Sequence, residues 1–348
     1  MKPVRTLIVD DSASMRATLK RMLSADPEIE VVGMAPEPYA ARDMIKALNP
    51  DVLTLDVEMP GMDGLSFLER IMRLRPMPVV MCSTLTARGA QVTIEALRLG
   101  AVDYVTKPSG TPEDIERDAE LLCEKVKAAA RSVARAGPQR LPMQPKGSAG
   151  ARGDTLIAIG SSTGGVEALF SILPSMPEDS PPILVVQHMP ATFTRSFAER
   201  LNSECRVQVV EATNGAAVQP GTVYIAPGGL MHMELSGGAR GHIKLRPGDP
   251  VGGHRPAVDV LFRSVAPLGP SVVGVILTGM GADGATGLLA MRQAGARTLA
   301  QSRETCVVWG MPRAAKEAGA VEKEVGLSAM PEAILKACRA ETSKVGSV

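Results

Sequence analysis

The chain alternates short apolar runs with amphipathic stretches, and does so in two series separated by an acid-free segment. In the first series, Arg5 to Val9, Glu30 to Met34, Val52 to Leu55, Val79 to Cys82 and Tyr104 to Thr106 have the length and content of strands. Helix-period patterns such as Ser14 to Leu23 and Tyr39 to Leu48 lie between them. Such βα alternation predicts a doubly wound parallel sheet, because parallel neighbours need a crossover and a helix supplies it. From Lys125 to Gly153 there is no acid, Gly and Pro become frequent, and Lys125, Lys127, Arg131, Arg135, Arg140, Lys146 and Arg152 are scattered through the segment. A helix tail followed by a flexible basic linker is expected over 125–153.

The second series starts with the buried-strand pattern Leu156-Ile157-Ala158-Ile159. A helix over Val166 to Leu173, a strand over Ile183 to Gln187, a helix over Thr192 to Asn202 and a strand over Val207 to Glu211 follow. A β section comes next: Val223 to Ala226, then a hairpin of Met231 to Leu235 with His242 to Leu245 around Gly237-Gly238. Wound structure resumes with Val258 to Ser264, the strand Val272 to Thr278, a helix after Asp283, the strand Thr298 to Gln301, and helices around Arg313 and Pro331. A length of 348 residues suits two domains of ordinary size, here 1–124 and 154–348.

Composition narrows the functional classes. No apolar run approaches the roughly 20 residues that cross a bilayer, and the N-terminal apolar stretch is too short for a signal peptide, so a cytoplasmic protein is expected. Five scattered cysteines without a C-x-x-C pair argue against a disulfide framework and a zinc site. A net charge of +1 gives no global reason for nucleic-acid binding, and the basic segment lacks interleaved aromatics or a DNA-binding motif. No nucleic-acid partner is expected, and the chain is read as a monomer.

Ligands of wound sheets sit beyond the carboxyl ends of the strands. In the first series those positions hold Asp10 and Asp11, Asp56, Ser83 and Lys107. Singly, each has a structural reading as a helix cap, turn residue or solvated loop residue. Together, three converging carboxylates raise one another's pKa unless a cation neutralises them, and hard oxygen ligands suit Mg²⁺. A metal, an ammonium and a hydroxyl around one carboxylate would neutralise an arriving phosphoryl group.

In the second series, Gly160-Ser161-Ser162-Thr163-Gly164 satisfies G-x-S-x-G between a strand and a helix, the setting that projects a nucleophilic serine above a sheet. A phosphate-binding glycine loop is the alternative, but the G-x-G-x-x-G spacing and a Gly-Lys-Ser/Thr ending are both missing. A serine nucleophile needs a base, and the chain has four histidines. His188 directly follows the strand ending at Gln187 and is the favoured base; His254 is its rival, or a substrate-pocket residue. His232 and His242 read as sheet-surface residues. Asp283, beyond the strand ending at Thr278, is the natural acid to fix the base, with capping of the helix after Gly284 as its alternative.

Over roughly its first 120 residues the chain resembles the receiver domain of two-component response regulators, through Asp10-Asp11, the run from Leu55-Asp56 to Asp63-Gly64, and Thr106-Lys107-Pro108. The resemblance implies a flavodoxin-like fold with Asp56 as phospho-acceptor and Mg²⁺ held by Asp10, Asp11, Asp56 and the Glu58 backbone carbonyl. Ser83, Tyr104 and Lys107 would report the phosphate. From Asp154 onward the chain resembles the catalytic domain of chemotaxis protein-glutamate methylesterases, through Ile159 to Gly165, Gln187-His188-Met189-Pro190, Ala226 to Gly229, His254-Arg255-Pro256 and Leu277 to Gly284. That resemblance implies Ser162 as nucleophile, His188 as base, Asp283 as its acid, and backbone N–H groups near Thr163 and Met280 as oxyanion donors, with no cofactor for the esterase. Ser161 stands where many members have Ala, which leaves a second serine beside the first.

The implied function is that of a chemotaxis response regulator. Phosphorylation would activate hydrolysis of glutamate methyl esters on chemoreceptors, releasing methanol, with glutamine deamidase activity at similar positions. Methyl-accepting chemoreceptors would be the substrates, a chemotaxis histidine kinase the phosphodonor, and the membrane would be approached only through receptors. Two rivals remain: a response regulator with a DNA- or protein-binding output, which predicts a compact basic helix-turn-helix, and a receiver fused to a nucleotide-binding or oxidoreductase domain, which predicts binding of ATP or NAD.

Overall fold

The computed structural model describes residues 2–59, 62–108, 111–132 and 154–339. The chain divides into two compact units, Met1–Gln139 and Arg140–Val348. In the first, β1 (Val4–Val9), α1 (Ala13–Ser24), β2 (Ile29–Ala35), α2 (Pro38–Leu48), β3 (Val52–Asp56), α3 (Gly64–Leu74), β4 (Val79–Ser83), α4 (Ala87–Arg98), β5 (Asp103–Thr106) and α5 (Pro112–Arg131) alternate strictly. The five strands are parallel in the order β2-β1-β3-β4-β5, which is the flavodoxin-like order. β3 and β4 are buried at every residue, as continuous apolar runs covered on both faces should be. Capping fixes the helix starts: Asp63 accepts from Ser66 N at α3, and Thr111 and Asp114 form a reciprocal capping box at α5.

Helix α5 continues to Arg131, so the basic segment begins with the helix tail expected of it. Leu122, Cys123, Val126 and Ala129 explain this, because they recur at helical spacing and are all buried. The remainder of the expected linker, 133–153, lies outside the described residues, as do Pro60 and Gly61 of the first unit's motif.

The second unit contains β6 (Leu156–Ser161), α6 (Gly165–Ile172), β7 (Ile183–Gln187), α7 (Ala191–Asn202), β8 (Gln208–Glu211), β9 (Thr222–Ile225), β10 (Met231–Ser236) and β11 (His242–Pro247). It continues with α8 (Val258–Val265), β12 (Val272–Ile276), α9 (Ala285–Gln293), β13 (Arg297–Gln301), α10 (Met311–Glu317), β14 (Lys323–Val325) and α11 (Met330–Arg339). Seven parallel strands form one sheet in the order β14-β13-β12-β6-β7-β9-β8, and β10 and β11 form the expected antiparallel hairpin apart from it. The segment expected from Val258 is a helix, and β14 is an edge strand that the sequence pattern did not signal.

His232 departs from the sequence reading. It is buried, with Nε2 2.9 Å from the carbonyl of Asp249 and Nδ1 accepting from Ala257 N, so it pins the loop between β11 and α8. His242 is exposed, as expected. All five cysteines are free thiols, and burial raises Cys205 and Cys338 to about 12, in keeping with packing roles. No described helix is long and apolar enough to cross a membrane.

Candidate active site

The carboxyl edge of the first sheet gathers the expected acids. Ligand oxygens of Asp10, Asp11 and Asp56 all lie within 4.8 Å of one another, with Asp10 and Asp56 buried and Asp11 exposed. Lys107 Nζ, held just beyond β5, lies 3.0 Å from Asp10 Oδ2 and 2.8 Å from Asp56 Oδ2. Burial drives the Asp56 carboxyl above its ordinary pKa despite Lys107. Burial also opposes the Lys107 charge, but Asp56 and Asp10 outweigh it and hold the ammonium above its ordinary value. One ammonium does not balance three carboxylates, so the donor set fits a hard divalent cation such as Mg²⁺.

Two features of the β3–α3 connection hold Asp56. Its Oδ1 accepts from Glu58 N at 3.2 Å, and Gly64 sits where a Cβ would fall 2.0 Å from the Asp56 carbonyl oxygen. Only glycine allows that approach. Ser83 is buried at the end of β4, and Tyr104 is buried in β5 with the Lys125 ammonium 4.8 Å from its ring centroid. Lys125, in the helix tail of α5, also binds Asp103 and the Tyr104 carbonyl.

In the second unit, Ser162 and His188 lie immediately past the paired strands β6 and β7, and Asp283 lies in the loop after the adjoining β12. The turn after β6 is made possible by Gly164 (φ 77°), so the left-handed conformation falls on glycine and the serine backbone is unstrained. Ser161 is buried and donates to Gln187 Oε1 at 2.7 Å, whereas Ser162 is partly exposed. Ser162 N donates to the Thr278 carbonyl, and Gly279 sits so close that a Cβ there would fall 2.8 Å from Ser162 Cβ. Gly279, the residue before Met280, thus packs directly against the serine. The strap Val308–Met311 secures it, through Gly279 N to Val308 O and through Gly310 N and Met311 N to Gly279 O.

His188 Nε2 lies 2.8 Å from Asp283 Oδ2. Its Nδ1 is buried without a hydrogen-bond partner, so the serine–histidine hydrogen bond is not formed here. With Nε2–H directed at the carboxylate, Nδ1 carries the free lone pair. Asp283 also accepts from Val258 N at 2.7 Å and Asp259 N at 2.9 Å, the first two donors of α8. It therefore caps α8 rather than α9, whose own cap is Gly284. Asp259 returns the arrangement by accepting from Thr286 Oγ1 and Gly287 N of α9. Burial pushes the Asp283 carboxyl up, but His188 and the two N–H groups outweigh it, and its pKa is lowered.

His254 stacks on His188 with ring centroids 3.7 Å apart, and with Arg255 it lines a cleft beside Met189, Pro190 and Gly229. Arg255 is engaged with the carbonyls of Gly229 and Gly248. The rival histidine thus belongs to the same site but is not the one on the acid. Sequence reading missed Asp259 as a support of Asp283, and gave Gln187 no role, although it closes an apolar strand and opens the Gln187-His188-Met189-Pro190 string.

Comparison with known proteins agrees with this architecture. The family model for CheB methylesterase matches residues 157–334, and that for the response regulator receiver domain matches residues 6–118. Protein-glutamate methylesterase/protein-glutamine glutaminase 1 of Caulobacter vibrioides is 57% identical over 340 residues, covering 96% of this chain and 98% of that protein. The protein of the same name from Rhizobium johnstonii is 55% identical over 337 residues, covering 96% of each. The solved CheB methylesterase catalytic domain of Thermotoga maritima superimposes with a TM-score of 0.51 at 39% identity, covering 53% of this chain and 99% of that one. The chain therefore belongs to the CheB methylesterase family and carries a response regulator receiver domain ahead of its methylesterase domain.

Proposed function

We propose that the second unit hydrolyses glutamate γ-methyl esters on methyl-accepting chemoreceptors and deamidates glutamine at equivalent positions, and that phosphorylation of Asp56 raises its rate. The observation that carries this reading is the His188–Asp283 pair, with Nδ1 left unpartnered at the sheet edge where Ser162 emerges. In the forward step Ser162 Oγ attacks the ester carbonyl and its proton passes to His188 Nδ1. Backbone N–H groups of Thr163 and Met280 are the candidate donors to the resulting oxyanion. Collapse expels the methoxy group, which takes the proton from His188 and leaves as methanol. Water then attacks the acyl-serine with His188 again as base, regenerating Ser162 and leaving a glutamate carboxylate. With glutamine the leaving group is ammonia. Asp283 holds the ring with Nε2–H toward itself and favours the imidazolium.

In the receiver domain, Asp56 is the proposed acceptor of a phosphoryl group from a histidine kinase; its carboxylate oxygen forms the new P–O bond as the donor's bond to phosphorus breaks. Asp10, Asp11, Asp56 and the Glu58 carbonyl would hold Mg²⁺, which when bound neutralises charge on the phosphoryl oxygens. Lys107, within 3.0 Å of both buried acids, would meet one of those oxygens, and the Ser83 hydroxyl another.

Incubation with Mg²⁺ and a small phosphodonor is expected to add one base-labile phosphoryl group. Asp56→Asn should abolish it, and EDTA should prevent it. Mass spectrometry reads the outcome, and phosphate on a serine or incorporation that survives EDTA contradicts the assignment. For the whole reading, methanol release from methylated receptor membranes should be measured with and without phosphodonor. Release that rises with phosphodonor in the native protein but not in Asp56→Asn is expected; no release, or the same rate in both proteins, contradicts it.

A further inference from the structure

We infer that Gln187 is a positioning residue for the ester hydrolysis, clamping the nucleophile and the base in register from beneath the sheet edge; this rests on the Ser162–His188–Asp283 reading above. Its carboxamide is buried, and each of its polar atoms is engaged. Oε1 accepts from Ser161 Oγ at 2.7 Å, while Nε2 donates to the Ser162 carbonyl at 3.0 Å and the His188 carbonyl at 3.2 Å. One side chain thus ties the main chain of two residues that must meet during reaction but are not hydrogen-bonded to each other.

The place of this clamp in the fold explains its reach. Ser161 and Gln187 are direct partners at the end of the β6–β7 ladder, where the last backbone bond runs from His188 N to Ser161 O. Beyond that rung no ladder bond fixes Ser162 against His188, and the Gln187 amide takes over. The Ser162 carbonyl also accepts from Gly165 N at 2.7 Å, so two donors fix its direction. In a trans peptide the following N–H points opposite to the carbonyl. Holding the Ser162 oxygen down toward Gln187 therefore directs the Thr163 N–H the other way, and Thr163 N–H is one of the two candidate oxyanion donors.

The double glycine after the serine then has two distinct causes. Gly164 supplies the positive φ of the turn, while Gly165 makes room for the clamp, since a Cβ there would fall 2.2 Å from Gln187 Oε1. Displacing the carboxamide is consequently possible from either side of the contact. Gln187→Glu keeps the shape and the acceptor for Ser161 but removes both N–H donors and sets one carboxylate oxygen against two carbonyls. Gly165→Ala crowds both the native amide and the Ser161 side chain that binds it, without altering any reacting group.

The test uses full-length protein. Both variants are expected to lower kcat for methanol release about 10²-fold with KM changed less than about threefold, the size of loss expected when reacting groups shift by around an ångström. Ser161→Ala, which removes only the bond to Oε1, should stay within about threefold of the unaltered rate. Alkyl fluorophosphonate labelling gives a second readout, because the serine oxygen displaces fluoride at phosphorus without the natural substrate. Its rate at Ser162, followed by peptide mass, should fall with kcat in both variants while thermal unfolding shows them folded. A folded Gln187→Glu or Gly165→Ala protein with unaltered kcat and labelling rate overturns the clamp, as does a loss confined to KM. Label that lands elsewhere in the unaltered protein overturns the Ser162 reading itself, and the clamp with it.

Discussion

Ser162→Ala is expected to lower kcat for methyl ester hydrolysis by at least ~10⁴-fold while leaving the thermal unfolding temperature unchanged, because the hydroxyl forms its bond only during reaction. Ser162 is partly exposed at the turn, and the backbone bond from its N–H to Thr278 survives the substitution. Ser161→Ala should behave in the opposite way. Its hydroxyl is buried and committed to Gln187, so its loss strands a buried acceptor and costs roughly 1–3 kcal/mol of stability and little rate. The two adjacent serines are thus separated by which quantity each one moves. Equal kcat losses from both would contradict the assignment.

Asp283→Asn should lower kcat by about 10⁴-fold and, unlike Ser162→Ala, also destabilise the fold. Its carboxylate accepts from three donors, His188 Nε2 and Val258 N at Oδ2 and Asp259 N at Oδ1. An amide has one acceptor end. If its NH₂ faces Asp259 N, a helix donor is stranded; if it faces His188, the ring must protonate Nδ1 instead and loses its free lone pair. A stranded buried donor costs roughly 1–3 kcal/mol, visible as a lower unfolding temperature. The pH dependence carries a sign. Because the Asp283 pKa is lowered on folding, its stabilising contribution is present above the unfolded-state value and disappears as pH falls through the folded one. The stabilities of the native and Asp283→Asn proteins should therefore converge only in acid. His188→Ala combined with Asp283→Ala should be little slower than the worse single variant, and additive losses would argue against a coupled pair.

The strand ends were readable because buried parallel strands write themselves as unbroken apolar runs, such as Leu156 to Ile159 and Ile183 to Val186. Residues placed just after such runs fall on one edge, which is where Ser162, His188, Asp283 and the acids of the receiver stand. Interactions between distant segments were not readable. His232 occupies an alternating strand that should face solvent, yet the 247–257 loop covers it and uses both ring nitrogens. Asp283 has a sequence position suited to capping the helix that follows it, but its carboxylate turns to α8, which precedes it in the chain. β14 is only three residues, two of them charged, and pairs only with β13, so no periodicity announces it.

The most direct test of the account is to quench the reaction with methylated receptor during turnover and find which residue carries the receptor's glutamyl group. The account predicts an ester to Ser162, formed in step with the first equivalent of methanol and trapped in acid-quenched samples taken within the first turnover. A glutamyl adduct on Ser161, or methanol release at the native rate from Ser162→Ala protein, would contradict it.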